Sequence, residues 1–194
     1  MKRHTMMAVV ALALTLPGCV PGYVKENDSP VLLLGLTNGV TVTSDVSVLT
    51  PDNGIVSLAV RAKNPKGPTS ATIPMHVVLE SYTVRYFRTD GRDVEGQDVP
   101  YHFSSAINGE IDLLTSGATA FPIPIVRTQA KQEPPLRNLR VIAGTNPLPG
   151  ANITPVVTMI AEVTIYGHTF AGEKVSATVR FTVDFIGGPL VTTT

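Results

Sequence analysis

The chain has 194 residues, with 15 Lys and Arg set against 15 Asp and Glu, and a single cysteine. Such a balance excludes a nucleic-acid binder or a polybasic membrane-surface protein, both of which concentrate positive charge. A lone cysteine excludes an internal disulfide framework, so stability must come from a hydrophobic core, for which one domain of this length suffices.

The first element is an address. Lys2 and Arg3 precede an apolar run from Met6 to Leu16. That run suits a secretory signal and is shorter than the roughly 20 apolar residues needed to span a bilayer. It ends in Leu16-Pro17-Gly18-Cys19, which resembles the lipobox of bacterial lipoproteins. The resemblance implies cleavage before Cys19 and acylation of that residue. Residues 1–18 are then a removed signal peptide, residues 19–30 a lipidated cysteine and polar tether, and the membrane is a partner through the acyl chains on Cys19. Val20 stands where an Asp is the familiar inner-membrane retention signal. The implied location is the cell envelope, and the outer membrane if the cell has two. Losing Lys2 and Arg3 takes the 15 basic residues to 13 against 15 acidic ones, a net charge of −2.

Downstream, Val31 to Leu36 is a compact apolar run and Asn38-Gly39 signals a turn. Val40, Val42, Val46 and Val48 alternate with polar residues, as expected of a half-buried strand. Pro51-Asp52-Asn53-Gly54 predicts a second turn, and Val56, Leu58, Val60 and Ala62 form the next inward set. A loop follows at Asn64-Pro65-Lys66-Gly67-Pro68. From His76 to Arg88 the chain is rich in Val, Tyr and Phe. Its apolar parity shifts between Leu79 and Tyr82, which predicts a bulge near Glu80-Ser81. Asp90-Gly91 signals a tight hairpin whose return arm is Val94 to Phe103.

Phe121-Pro122-Ile123-Pro124-Ile125 lacks two backbone donors and belongs at a sheet edge. Between Arg127 and Arg140, Pro134-Pro135 leaves room for one short helical turn on either side. The longest period-2 pattern runs from Thr154 to Phe185. Val157, Met159, Ala161, Val163 and Ile165 answer Val175, Ala177, Val179, Phe181, Val183 and Phe185, with Gly167 and Gly172 bracketing the connection. Residues 187–194 form a tail. About seven to nine short strands with no long helix predict an all-β fold, an antiparallel β-sandwich over residues 31–186. It resembles the immunoglobulin-like sandwiches in strand count and spacing, without their Cys and Trp core.

Little of the sequence carries catalytic chemistry. No G-x-S-x-G elbow, Gly-rich phosphate loop or acid/base pair of carboxylates is present, so neither an enzyme nor a cofactor is expected. His76, His102 and His168 have no zinc-ligand spacing. Asp90, Asp93, Glu95 and Asp98 are the one Ca²⁺ candidate, although their spacing departs from the EF-hand and Arg92 sits among them. Tyr82, Arg85, Tyr86, Phe87, Arg88, Tyr101, His102 and Phe103 concentrate residue types common at binding hot spots. The competing reading puts Tyr82 and Tyr86 in the core and leaves Arg85 and Arg88 solvated. The expectation is a lipid-anchored envelope protein with a structural or adaptor role toward another envelope protein, its partner surface drawn from Arg85, Arg88, Asp90, Arg92 and His102. The alternative is a module binding a glycan or calcium.

Overall fold

A computed structural model describes residues 29–63, 76–112, 117–144 and 155–187. The signal segment, Cys19, the tether up to residue 28, the loops at 64–68 and 146–150 and the tail beyond residue 187 lie outside the described residues. The strands are β1 (Val31–Gly35), β2 (Asn38–Asp45), β3 (Asp52–Ala62), β4 (Val77–Arg88), β5 (Phe103–Ile111), β6 (Thr119–Val126), β7 (Val156–Thr169) and β8 (Lys174–Ile186). Two helices, α1 (Thr128–Gln132) and α2 (Leu136–Gly144), lie between β6 and β7.

Period-2 patterning drives the β7–β8 hairpin to pair continuously from Val156 with Ile186 to His168 with Lys174. The buried side is the one the pattern marks: Met159, Ala161, Val163 and Ile165 on β7, and all six alternate residues from Val175 to Phe185 on β8. This hairpin forms the middle of a five-stranded sheet ordered β2-β8-β7-β4-β5. A three-stranded sheet, β1-β3-β6, supplies the opposing apolar side through Val31, Leu33, Val56, Leu58, Val60, Ile123 and Ile125. The result is an all-β sandwich. Lettered in chain order, with β2 continuing β1 onto the other sheet and β5 added beside β4, the sheets read A-B-E and G-F-C, the immunoglobulin-like partition.

Two core tyrosines cross between the layers. Tyr82 donates a hydrogen bond to the Pro124 carbonyl at 3.2 Å, and Tyr86 donates to the Ile125 carbonyl. A buried hydroxyl without an acceptor is costly, so these bonds fix how the sheets face each other.

The bulge expected in β4 is present: pairing with both β5 and β7 shifts register between Leu79 and Ser81. β6 is at a sheet edge, where Pro122 and Pro124 need no ladder donor.

Several local expectations are corrected. The sandwich is not wholly antiparallel, because β2 pairs with β8 in parallel. Asn38-Gly39 is a bulge at the start of β2, with Gly39 at φ 71°, because the chain has already crossed between sheets at Leu36 and Thr37. Thr37 secures that crossing: its Oγ1 donates to the Ile55 carbonyl and accepts from the Ser57 N–H. Val40, near the start of β2, and Val48, past its end, were expected inward but are about half exposed, whereas Val46 is buried.

Asp52, Asn53 and Gly54 belong to β3 and not to a turn. Gly54 lies so close to Ile125 that a Cβ there would stand 2.0 Å from its Cδ1. Only Gly172 serves the β7–β8 turn, at φ 87°. Gly167 lies within β7 opposite the β4 bulge, where a Cβ would stand 2.3 Å from the Val78 carbonyl oxygen.

The Asp90-Gly91 hairpin is not tight. Val84 is the last β4 residue paired with β5, opposite Phe103, so residues 89–102 form a long connection. Most of the expected return arm lies in that connection, and the strand itself, β5, falls on the unpatterned segment Ser104-Ser105-Ala106 and beyond. Lastly, α2 runs nine residues, longer than a single turn, because Leu136 and Leu139 are buried against the sandwich. Gly187, whose Cβ would meet the Leu139 carbonyl oxygen at 2.9 Å, lets the helix lie against the β8 terminus.

Candidate functional site

The charged residues expected at the β4 end do come together, but mainly with one another. Asp90 follows β4 in a turn closed by the Gly91 N–H donating to the Arg88 carbonyl at 3.2 Å, with Gly91 at φ 82°. Its carboxylate accepts from Arg88 Nε at 3.2 Å and from Arg92 Nη2 at 2.6 Å. Hydrogen bonds from Arg92 first, then from Arg88, hold the Asp90 carboxyl well below the usual carboxylate range, and Asp90 in turn holds the Arg92 guanidinium above its ordinary value. Arg92 also approaches Asp98, with Nη1 4.0 Å from Oδ1. Glu95 turns the other way, toward His102, whose Nδ1 lies 2.8 Å from Oε1.

Beneath these groups Val99 is buried, and the Gly96 N–H donates to its carbonyl at 2.8 Å. Tyr101 covers Gly96 so closely that a Cβ there would overlap its hydroxyl. The connection is therefore a braced relief. Asp90, Asp93, Glu95 and Asp98 do not converge: two share Arg92, one faces His102, and Asp93 is exposed. Among the described residues no group of three or more His, Cys, Asp or Glu has the geometry to hold a metal ion.

The aromatic cluster divides. Tyr82 and Tyr86 are core residues, and burial, the largest cause in each case, pushes both phenols above their ordinary range. Phe103 is buried too, edge-on to Tyr82 and covered by the Arg127 guanidinium at 4.6 Å. Arg85 stays outside, its guanidinium 5.4 Å from the Phe87 ring centroid.

Arg85 belongs to a charged row across the outer side of the five-stranded sheet. It is in register with Glu162, which is in register with Arg180. Arg180 donates to Glu162 from Nη2 at 2.7 Å. Beside this row Thr164 and Thr178 share a hydrogen bond, and Thr158 donates to Asp184.

No family model and no curated protein matches this chain. In surface chemistry the two sheets differ. The outer side of β1-β3-β6 carries little charge: Leu32 and Leu34 line one edge with Leu36 just past it, Asn53, Ile55, Ser57, Ala59 and Arg61 run along the centre, and Ala120, Pro122 and Pro124 line the other edge. Leu32 is 45% exposed, Leu36 50% and Ile55 59%. The run Val31 to Leu36 is apolar throughout, and its alternate members Leu32 and Leu34 face outward, which its composition alone does not mark. The signal lies in the pattern, because a strand apolar on both faces needs something on both sides.

Proposed function

We propose that this is a lipid-anchored cell-envelope protein with a non-catalytic adaptor role, holding another envelope protein near the membrane through the 89–102 connection and the adjacent outer side of the five-stranded sheet. The observation that carries the reading is the bracing of that connection. Arg88 and Arg92 grip Asp90, and Val99 is buried beneath. Charges fixed in place steer a protein partner and set its register better than charges on a loose loop. Asp90 and Asp98 lie against Arg92 and Glu95 against His102, an arrangement that favours protein recognition over a calcium cage. Anchoring rests on the lipobox-like Leu16-Pro17-Gly18-Cys19, which makes the membrane the second partner through acyl chains on Cys19, in the outer membrane where the cell has two.

The test is crosslinking in native membranes. Arg85→Ala combined with Arg92→Ala weakens capture of a discrete partner while the thermal midpoint stays nearly unchanged. A folded double variant that keeps every crosslink places the interface elsewhere. A midpoint raised by added Ca²⁺, and lost in Asp93→Ala, moves the reading to a calcium-binding module.

A further inference from the structure

We infer that the outer side of the β1-β3-β6 sheet lies on the bilayer that holds the anchor, so that the sandwich rests on the membrane by its small sheet and turns its charged large sheet outward. The inference rests on the anchored reading and adds an orientation and an occupant. Its first support is chemistry. Leu32, Leu36 and Ile55 are 45–59% exposed on this side, where Ser57 and Asn53 are the uncharged polar members of β3. The paired rows place Leu32 beside Arg61, Leu34 beside Ala59, and Ile55 beside Pro122. Among the outward positions of these strands the one formal charge is Arg61, and no carboxylate interrupts them. An apolar surface with a cation at its margin suits an interface of acyl chains topped by anionic headgroups.

The second support is where the chain enters. Cys19 precedes Ser29 by ten residues, which span about 18 Å as a flexible chain and at most about 35 Å when extended. That connection leads into β1, an edge strand of this sheet, so the anchor joins the sandwich at the small sheet. The third support is the far edge. A sheet edge brought near hydrocarbon carries a cost for each unpaired donor, and on β6 Pro122 and Pro124 have no N–H to leave unpaired.

The chain has no tryptophan, so one introduced residue reports by itself. The lipidated Ile55→Trp and Tyr166→Trp proteins are placed in phosphatidylcholine vesicles containing some phosphatidylglycerol, with Tyr166 reporting from the large sheet's outer side. Docking predicts blue-shifted emission and strong quenching by bromolipids for Ile55→Trp, and neither for Tyr166→Trp. Leu36→Trp repeats the measurement should Ile55→Trp fail to fold.

Vesicle-bound protein with no quenching at either small-sheet position overturns docking while leaving the anchor intact. Wild-type protein that does not float with vesicles overturns the anchored reading, and docking falls with it. A blue shift that grows with protein concentration in detergent, without bilayer, assigns the surface to a second copy of the chain and overturns the proposal. A photocrosslinker at Leu36 that captures a discrete protein in native membranes overturns it in favour of a protein partner.

Discussion

Lys131 Nζ and Asp52 Oδ2 stand 2.8 Å apart, an ion pair that joins helix α1 to the first residue of β3. The lysine is fully buried. Its ammonium also donates to the Asp45 carbonyl at 3.0 Å and the Val48 carbonyl at 2.9 Å, so two carbonyl hydrogen bonds and one ion pair hold it. One side chain thereby holds the whole β2–β3 connection against the helical cap. Lys131→Ala leaves three acceptors facing an apolar hole and lowers stability by about 3–5 kcal/mol in urea unfolding. Pairing Lys131→Met with Asp52→Leu recovers part of that loss, since no charge is then left unpaired. A loss below about 1 kcal/mol for Lys131→Ala would show that water reaches the amine.

Phe181 and Thr182 test the two faces of β8. Phe181→Ala costs about 3–5 kcal/mol, because the ring is buried between the sheets. Thr182→Ala, pointing to the other side, changes stability by no more than about 0.5 kcal/mol. Similar losses at both positions, measured by urea unfolding, would mean that the outer side of the large sheet is buried as well.

Tyr86 gives the protein an alkaline limit. Burial raises its phenol in the folded state above the ordinary value of about 10, while the unfolded chain ionises near that value. The folded form therefore holds a proton that the unfolded form releases, and the contribution, complete below pH 10, is lost as pH rises through the folded value. Unfolding midpoints should fall on going from pH 9 to pH 11. Tyr86→Phe should shallow that decline, at the cost of about 1–3 kcal/mol at neutral pH for the Ile125 carbonyl left without its donor. A variant with the wild-type alkaline slope would assign the effect to other groups.

Gly167 and Gly91 separate two reasons for glycine. At Gly167 an added methyl meets the Val78 carbonyl oxygen, part of the β4 backbone, so Gly167→Ala should cost about 1–3 kcal/mol and loosen the bulge. At Gly91 nothing lies within 4 Å, and only the positive φ opposes a side chain. Gly91→Asn, which tolerates that conformation, should change stability by less than about 0.5 kcal/mol. Hydrogen exchange of β4 and β7 amides distinguishes the cases, because only Gly167→Ala should speed it.

What could be read in advance follows the kind of force involved. The β7–β8 hairpin was legible because eleven apolar residues recur at every second position, with strictly polar residues between them along β8, and the β4 bulge because the alternation breaks between Leu79 and Tyr82. The place of β6 followed from Pro122 and Pro124. By contrast, β5 holds Ser105 and Gly109 at inward-parity positions, and Gly109 owes its place to the Phe121 ring packed against it from the other sheet. No local pattern records a contact of that sort. The Lys131 clamp was hidden for a similar reason: two of its acceptors are main-chain carbonyls, which carry no side-chain signature. Of the candidate surface, the residues Arg85 to His102 were visible as charge, but the grip of Arg88 and Arg92 on one carboxylate depends on the turn at Gly91.

The parallel pairing of β2 with β8 has a consequence for how the chain reaches this state. It places residue 41 beside residue 182, so the second of the described strands is completed by the last of them. Until β8 arrives, β2 has no ladder partner, and the hairpin that anchors the large sheet does not exist. Such long-range closure makes folding slow, on the order of milliseconds to seconds, and leaves a nearly complete chain unable to commit. A polypeptide that commits late stays threadable for longer, because its early and late strands depend on each other.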